Sequence, residues 1–84
     1  MRAFPNPASQ SIQLEFPLQQ DANLHVEVFD LLGRSMLRNH MGMQVKGAKL
    51  IPLDISELAP GRYVVAVLQD DAILYHFPVI KSLD

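Results

Sequence analysis

Apolar and polar residues alternate along much of this chain with a period of two, the spacing of a strand that buries one face. Ile12, Leu14 and Phe16 alternate with Gln13 and Glu15, and Leu24, Val26 and Val28 alternate with His25 and Glu27. Each stretch predicts a half-buried strand. Leu50, Ile51, Leu53 and Ile55 surround Pro52 in a less regular one, and Tyr63 to Leu68 is a continuous apolar run rich in β-branched residues. Ile73 to Ile80 is apolar except where His76 and Pro78 break it. Helical periodicity is weak, and no helix longer than one turn is expected, with Ser56-Glu57-Leu58 the place for that turn.

The segments between these runs carry turn chemistry. Asp30-Leu31-Leu32-Gly33-Arg34 suits a type I turn closed by Gly33 in the left-handed region, a G1-bulge hairpin in which Asp30 accepts from turn amides. Pro60-Gly61 fits the two central positions of a type II turn, and Asp70-Asp71 reads as a tight hairpin. Met41 to Gly47 is the least determined loop. Proline cannot donate to a ladder, so Pro52 and Pro78 predict edge strands or bulges, while the proline-free strands around Val26 and Val65 are expected to be central. About six or seven short strands joined by tight turns predict an all-β, antiparallel sandwich, with residues 1–84 forming one domain.

Composition narrows the function more than it names it. At 84 residues, 49 % hydrophobic and 19 % charged, the chain has room for one core. A formal net charge of −2 argues against phosphate-driven nucleic-acid binding. With no cysteine there is neither a disulfide nor a thiolate metal site. No apolar run approaches the ~20 residues of a transmembrane helix, and Met1-Arg2-Ala3-Phe4-Pro5 has no signal-peptide core. The chain is therefore expected to be either cytoplasmic or the end of a longer precursor. His25, His40 and His76 fall at no ligand spacing and read as exposed strand or loop residues. Asp70-Asp71 reads as a turn rather than a calcium loop, and no serine sits in a nucleophile motif. Neither an enzyme nor a cofactor is expected. Val64, Ala66 and Leu68 make the second face of their strand apolar as well, which fits a covered central strand or, failing that, a docking patch.

Four motifs in order carry a resemblance. They are Phe4-Pro5-Asn6-Pro7; Asp30-Leu31-Leu32-Gly33-Arg34; Asp54-Ile55-Ser56-Glu57-Leu58-Ala59-Pro60-Gly61-Arg62-Tyr63; and a closing Phe77 to Lys81. Together they resemble the C-terminal sorting domain of type IX secretion cargo across nearly the whole chain. Asp70-Asp71 where glycine or asparagine is more usual, Pro78 inside the last strand, and the extension Ser82-Leu83-Asp84 depart from that pattern.

The resemblance implies a small immunoglobulin-like sandwich that directs an upstream cargo across the outer membrane and is not itself a catalyst. It implies transit through the periplasm, delivery to the cell surface or medium, and as partners the type IX machinery and a sortase-like surface peptidase that removes the domain. Recognition is expected on the last hairpin, at Tyr63, Val65, Val67, Tyr75, Phe77, Val79 and Lys81. Pro5, Asn6, Pro7, Asp30, Gly33, Arg34, Pro60 and Gly61 are expected to shape turns, with residues 1–8 a linker or entry segment after the upstream domains. A carbohydrate-binding module or a structural accessory module of a secreted enzyme is the competing reading; the absence of tryptophan and the presence of only two tyrosines weigh against the first.

Overall fold

A computed structural model describes residues 1–83; Asp84, the end of the C-terminal extension, lies outside the described residues. Seven strands follow in chain order: β1 (Arg2–Phe4), β2 (Ser11–Leu18), β3 (Ala22–Asp30), β4 (Ser35–Gln44), β5 (Gly47–Asp54), β6 (Gly61–Gln69) and β7 (Ala72–Lys81). They form two antiparallel sheets, β1-β2-β5 and β4-β3-β6-β7, packed face to face as an immunoglobulin-like sandwich.

The alternating residues supply the core. Ile12, Leu14 and Phe16 from β2 meet Leu24, Val26 and Val28 from β3 and Val65 and Val67 from β6, all buried. A valine buried in this way contributes about 1.5–3 kcal/mol relative to an exposed one. Strands β3 and β6, which carry no proline, are the two central strands of the larger sheet. Pro52 lies on the edge strand β5 and Pro78 on the edge strand β7, as the missing donor requires. Tyr63, near the start of β6, donates its hydroxyl to the Ala59 carbonyl at 2.5 Å and ties the β5–β6 connection to the core, in the manner of a tyrosine corner.

The Asp30 turn forms as its residues dictate. Gly33 takes φ +83° and donates its N–H to the Asp30 carbonyl at 3.0 Å, while Asp30 donates to the Arg34 carbonyl at 3.0 Å. Asp30 Oδ1 accepts from the N–H groups of Leu32 and Arg34, both at 2.9 Å, and Oδ2 receives Arg34 Nε at 2.6 Å. These bonds, led by the one from the Arg34 backbone, hold the Asp30 carboxyl below its ordinary 3.8. The Asp70-Asp71 turn also forms, with Asp70 at φ +54°.

Five expectations need correction. Ser35–Gln44 is a full strand, so only Val45 and Lys46 separate β4 from β5. Met41 to Gly47 is thus not a loop. Gly61 has φ +154° rather than the roughly +80° of a type II turn, and it opens β6 opposite Lys81. Ser56 to Leu58 make a turn, closed by the Leu58 N–H on the Ile55 carbonyl, without a helix. His25 is buried rather than exposed. Residues 2–8 are an entry segment built into the domain rather than a free linker: β1 pairs with β2, and Ala8 is a core residue.

Candidate functional site

The last hairpin, β6 and β7, has two faces of different character. Tyr63, Val65 and Val67 pair with Val79, Phe77 and Tyr75, and this row points into the core. Within it Val65 and Val67 are fully buried, and Tyr63, Phe77, Val79 and Lys81 are each at most 7 % exposed. Tyr75 is half-buried, packs its ring 5.3 Å from that of Phe16, and donates its hydroxyl to the Pro17 carbonyl at 2.5 Å. The residues expected to meet a partner are brought together, but as the inner wall of the sandwich. Of these residues Tyr75 is the most accessible in the folded domain. A run apolar on both faces gave no sign of which face was inner; pairing with the alternating β3 decides it, since Val26 stands opposite Val67.

The other row of the hairpin faces outward. Ile73, His76, Pro78 and Ile80 are exposed on β7, and beside them on β6 lie Leu68, Ala66, Val64 and Arg62. Of these, Ala66 and Leu68 are buried by their neighbours and Val64 is half-buried, so the covered reading holds for most of that face. Further across the sheet, His25 Nε2 lies 3.5 Å from Glu27 Oε1 and the His25 ring 5.7 Å from that of His40. Among the described residues no group of three or more His, Asp or Glu side chains is placed to hold a metal ion.

The Pro-Asn-Pro motif acts on β7. Asn6 Nδ2 donates to the Pro78 carbonyl at 3.0 Å, and Asn6 Oδ1 accepts from the Ile80 N–H at 2.9 Å. Ala8 then donates to the Ile80 carbonyl at 3.0 Å and accepts from the Ser82 N–H at 2.8 Å, so that residues 6–8 run parallel to the end of β7. These four bonds take every outward backbone group from Pro78 to the Ser82 N–H. Pro78 has no N–H to leave unpaired, and that is why a proline fits here. Both prolines of the motif follow cis peptide bonds, Phe4-Pro5 and Asn6-Pro7. Lys81 donates its ammonium to the Ser82 carbonyl at 3.1 Å.

Gly33, Arg34 and Asp30 are all in the β3–β4 turn, while Gly61 opens β6 opposite Lys81, the residue bridged to Ala8. Searches of curated proteins and of solved structures each returned no match. The family model described as "Secretion system C-terminal sorting domain" matches residues 2–81, so the chain belongs to that family, the C-terminal sorting signals of cargo exported by the type IX secretion system.

Proposed function

We propose that this domain acts as a non-catalytic address whose last hairpin is read by the export machinery through the outward row of β7, after which a sortase-like surface peptidase removes it from the cargo. The observation that carries this reading is the split between the two faces of the hairpin. The inner row, Tyr63, Val65, Val67, Phe77, Val79 and Lys81, is committed to holding the strand, while Ile73 and Ile80 stand 57 % and 43 % exposed on the other side. An apolar side chain left in water on an otherwise well-packed strand is available to a partner at no cost to the fold. The inner row then acts by keeping β7 extended and in register. Transit through the periplasm precedes this step, since the reader must meet a folded hairpin, and the upstream cargo follows the domain across the outer membrane.

An export assay tests the reading. Residues 2–84 are fused behind a signal-peptide-bearing fluorescent reporter in a bacterium with a working type IX system, with a translocon-deficient strain as control. The expected result is reporter on the surface or in the medium of the competent strain alone. Ile73→Glu together with Ile80→Glu is expected to lower export severalfold while the purified domain keeps its melting temperature. Reporter retained equally in both strains would sink the sorting role of this chain; export undiminished by the double substitution would sink the outward row as the surface that is read.

A further inference from the structure

The four segments that carry the family resemblance lie apart in the chain, and the fold brings a side chain from each to a single groove of about 420 Å³. Asn6 comes from the first, Leu31 from the second, Arg62 from the third, and Pro78 and Ile80 from the fourth, with Val64 beside them. The groove lies on the outward face of the larger sheet, at the Ile80 end of β7, where Val64 pairs with Pro78 and Arg62 with Ile80.

Both walls of the groove are fixed by hydrogen bonds. Ile80 donates its N–H to Asn6 Oδ1 and accepts the Ala8 N–H at its carbonyl, so both of its backbone groups point away from β6. It therefore faces Arg62 as a non-hydrogen-bonded pair, the kind in which cross-strand side chains stand closest. Strand β6 gives Ile80 no ladder bond, and Asn6 and Ala8 are what hold it in line. On the opposite wall, Asp30 Oδ1 holds the N–H groups of Leu32 and Arg34, and the turn so fixed leaves Leu31 68 % exposed at the groove. Leu32, its neighbour, is more exposed still but does not line the groove.

The charges around the groove leave one cation over. Asp30 and Arg34 are bonded to each other, and the Lys81 ammonium is turned to the Ser82 carbonyl. Glu27, Arg38 and His76 lie in the next row of the same face, beyond Phe29, Val64 and Pro78. Asp54 and Glu57 line a separate groove beside Met36, in the gap between β4 and β5. Among the described residues, no carboxylate lies within ion-pair distance of Arg62, which is exposed. An apolar groove with a lone guanidinium at its rim complements an apolar side chain that has a carboxylate beside it.

We propose that the reader of the sorting signal docks at this groove, setting an apolar side chain against Leu31, Val64, Pro78 and Ile80 and a carboxylate on Arg62. Asn6 is a positioning residue for that contact, acting through Ile80. The inference rests on the outward row as the surface that is read, and it narrows that row to the Ile80 end; Ile73, at the other end of β7, takes no part.

Single substitutions in the exported 2–84 fusion test it. Leu31→Ser, Arg62→Glu and Ile80→Glu are each expected to lower export at least about threefold with the melting temperature of the purified domain kept. Leu32→Ser and Ile73→Glu, equally exposed changes outside the groove, are expected to leave export unchanged. Asn6→Ala is expected to lower export and to shift the Ile80 amide and methyl NMR signals. Ile12→Val, a core change of comparable cost to the fold, is expected to do neither. Three results would each overturn the groove while the Ile73→Glu, Ile80→Glu pair still blocks export. They are equal loss in Leu32→Ser and Leu31→Ser, undiminished export in Arg62→Glu, and equal loss in Ile12→Val and Asn6→Ala. Loss in Ile73→Glu matching that in Ile80→Glu would overturn the narrowing to one end, and undiminished export in the pair would overturn the groove and the outward row together.

Discussion

Strands β7 and β4 are the two edges of one sheet, and they meet the same liability in opposite ways. An edge leaves a row of backbone donors and acceptors unpaired, ready to accept another strand. Along the end of β7 that row is closed by one asparagine side chain and one alanine backbone, with a proline at the position where a donor would have been left over. Along β4, among the described residues, no such clip covers Arg38 and His40. The difference teaches that the Pro-Asn-Pro motif is a part of the sheet in all but name: a side-chain amide, with one donor and one acceptor, imitates the peptide group of a neighbouring strand. A strand that is sealed along its edge and exposed on its face can be read by its side chains while being protected from indiscriminate pairing.

The comparison breaks first at the core. Phe77→Ala removes an inward ring of β7 that is 5 % exposed. It is expected to cost about 3–5 kcal/mol in urea unfolding, the usual loss for such a truncation. A loss below about 1 kcal/mol would mean that the β7 face assigned to the core is not packed against it. A smaller effect sharpens the edge. Asn6→Ala takes away two hydrogen bonds at an exposed site and is expected to cost about 1 kcal/mol, with faster hydrogen exchange at Ile80 and no change at Arg38 or His40. Unchanged exchange at Ile80 would show that the clip does not seal that edge.

The smallest effect concerns the turn that aims β4. Asp30 has a carboxyl pKa lowered from 3.8 in the fold, chiefly by the Arg34 backbone N–H, so the unfolded chain takes up this proton first as the pH falls. Its stabilisation is complete above about pH 5 and is lost as the pH drops through the ordinary carboxylate value to the lowered native one. Asp54 is lowered as well, by the Ser56 side chain and backbone, and adds to the same slope. The melting temperature should decline on acidification through this window, and Asp30→Asn should flatten the decline in part. A slope identical in the variant would show that Asp30 is not among its sources.

Much of this fold was legible because burial is one-sided where the sequence alternates. Strands β2 and β3 each set one face against the other sheet, and Ile12, Leu14, Phe16, Leu24, Val26 and Val28 announce it. Strand β4 was illegible for the converse reason. Its outer face meets water and its inner face borders the gap, so no residue from Ser35 to Gln44 is buried, and the shifts at Met36 and Met41 scramble what period remains. His25 occupies the outer register of β3, yet it is buried among side chains including His40 and the cross-strand Leu68. Which face of the last hairpin points outward was illegible in a run apolar on both faces, because a shift of one residue of register exchanges every inward side chain for an outward one. The role of Asn6 could not be read locally, because its partners Pro78 and Ile80 lie more than seventy positions further along the chain.

Residues 6–8 run parallel to the end of β7, and that direction has a mechanical meaning. Tension applied between the chain entering at Phe4 and the chain leaving at Ser82 draws the two segments past each other along their length. The bonds from Asn6 and Ala8 to Pro78, Ile80 and Ser82 then share the load together instead of opening one after another, as they would in a zipper pulled apart from one end. A tether attached before this domain and a grip on its tail would therefore strain against a clasp, and the sandwich would pass the force on between them while staying folded.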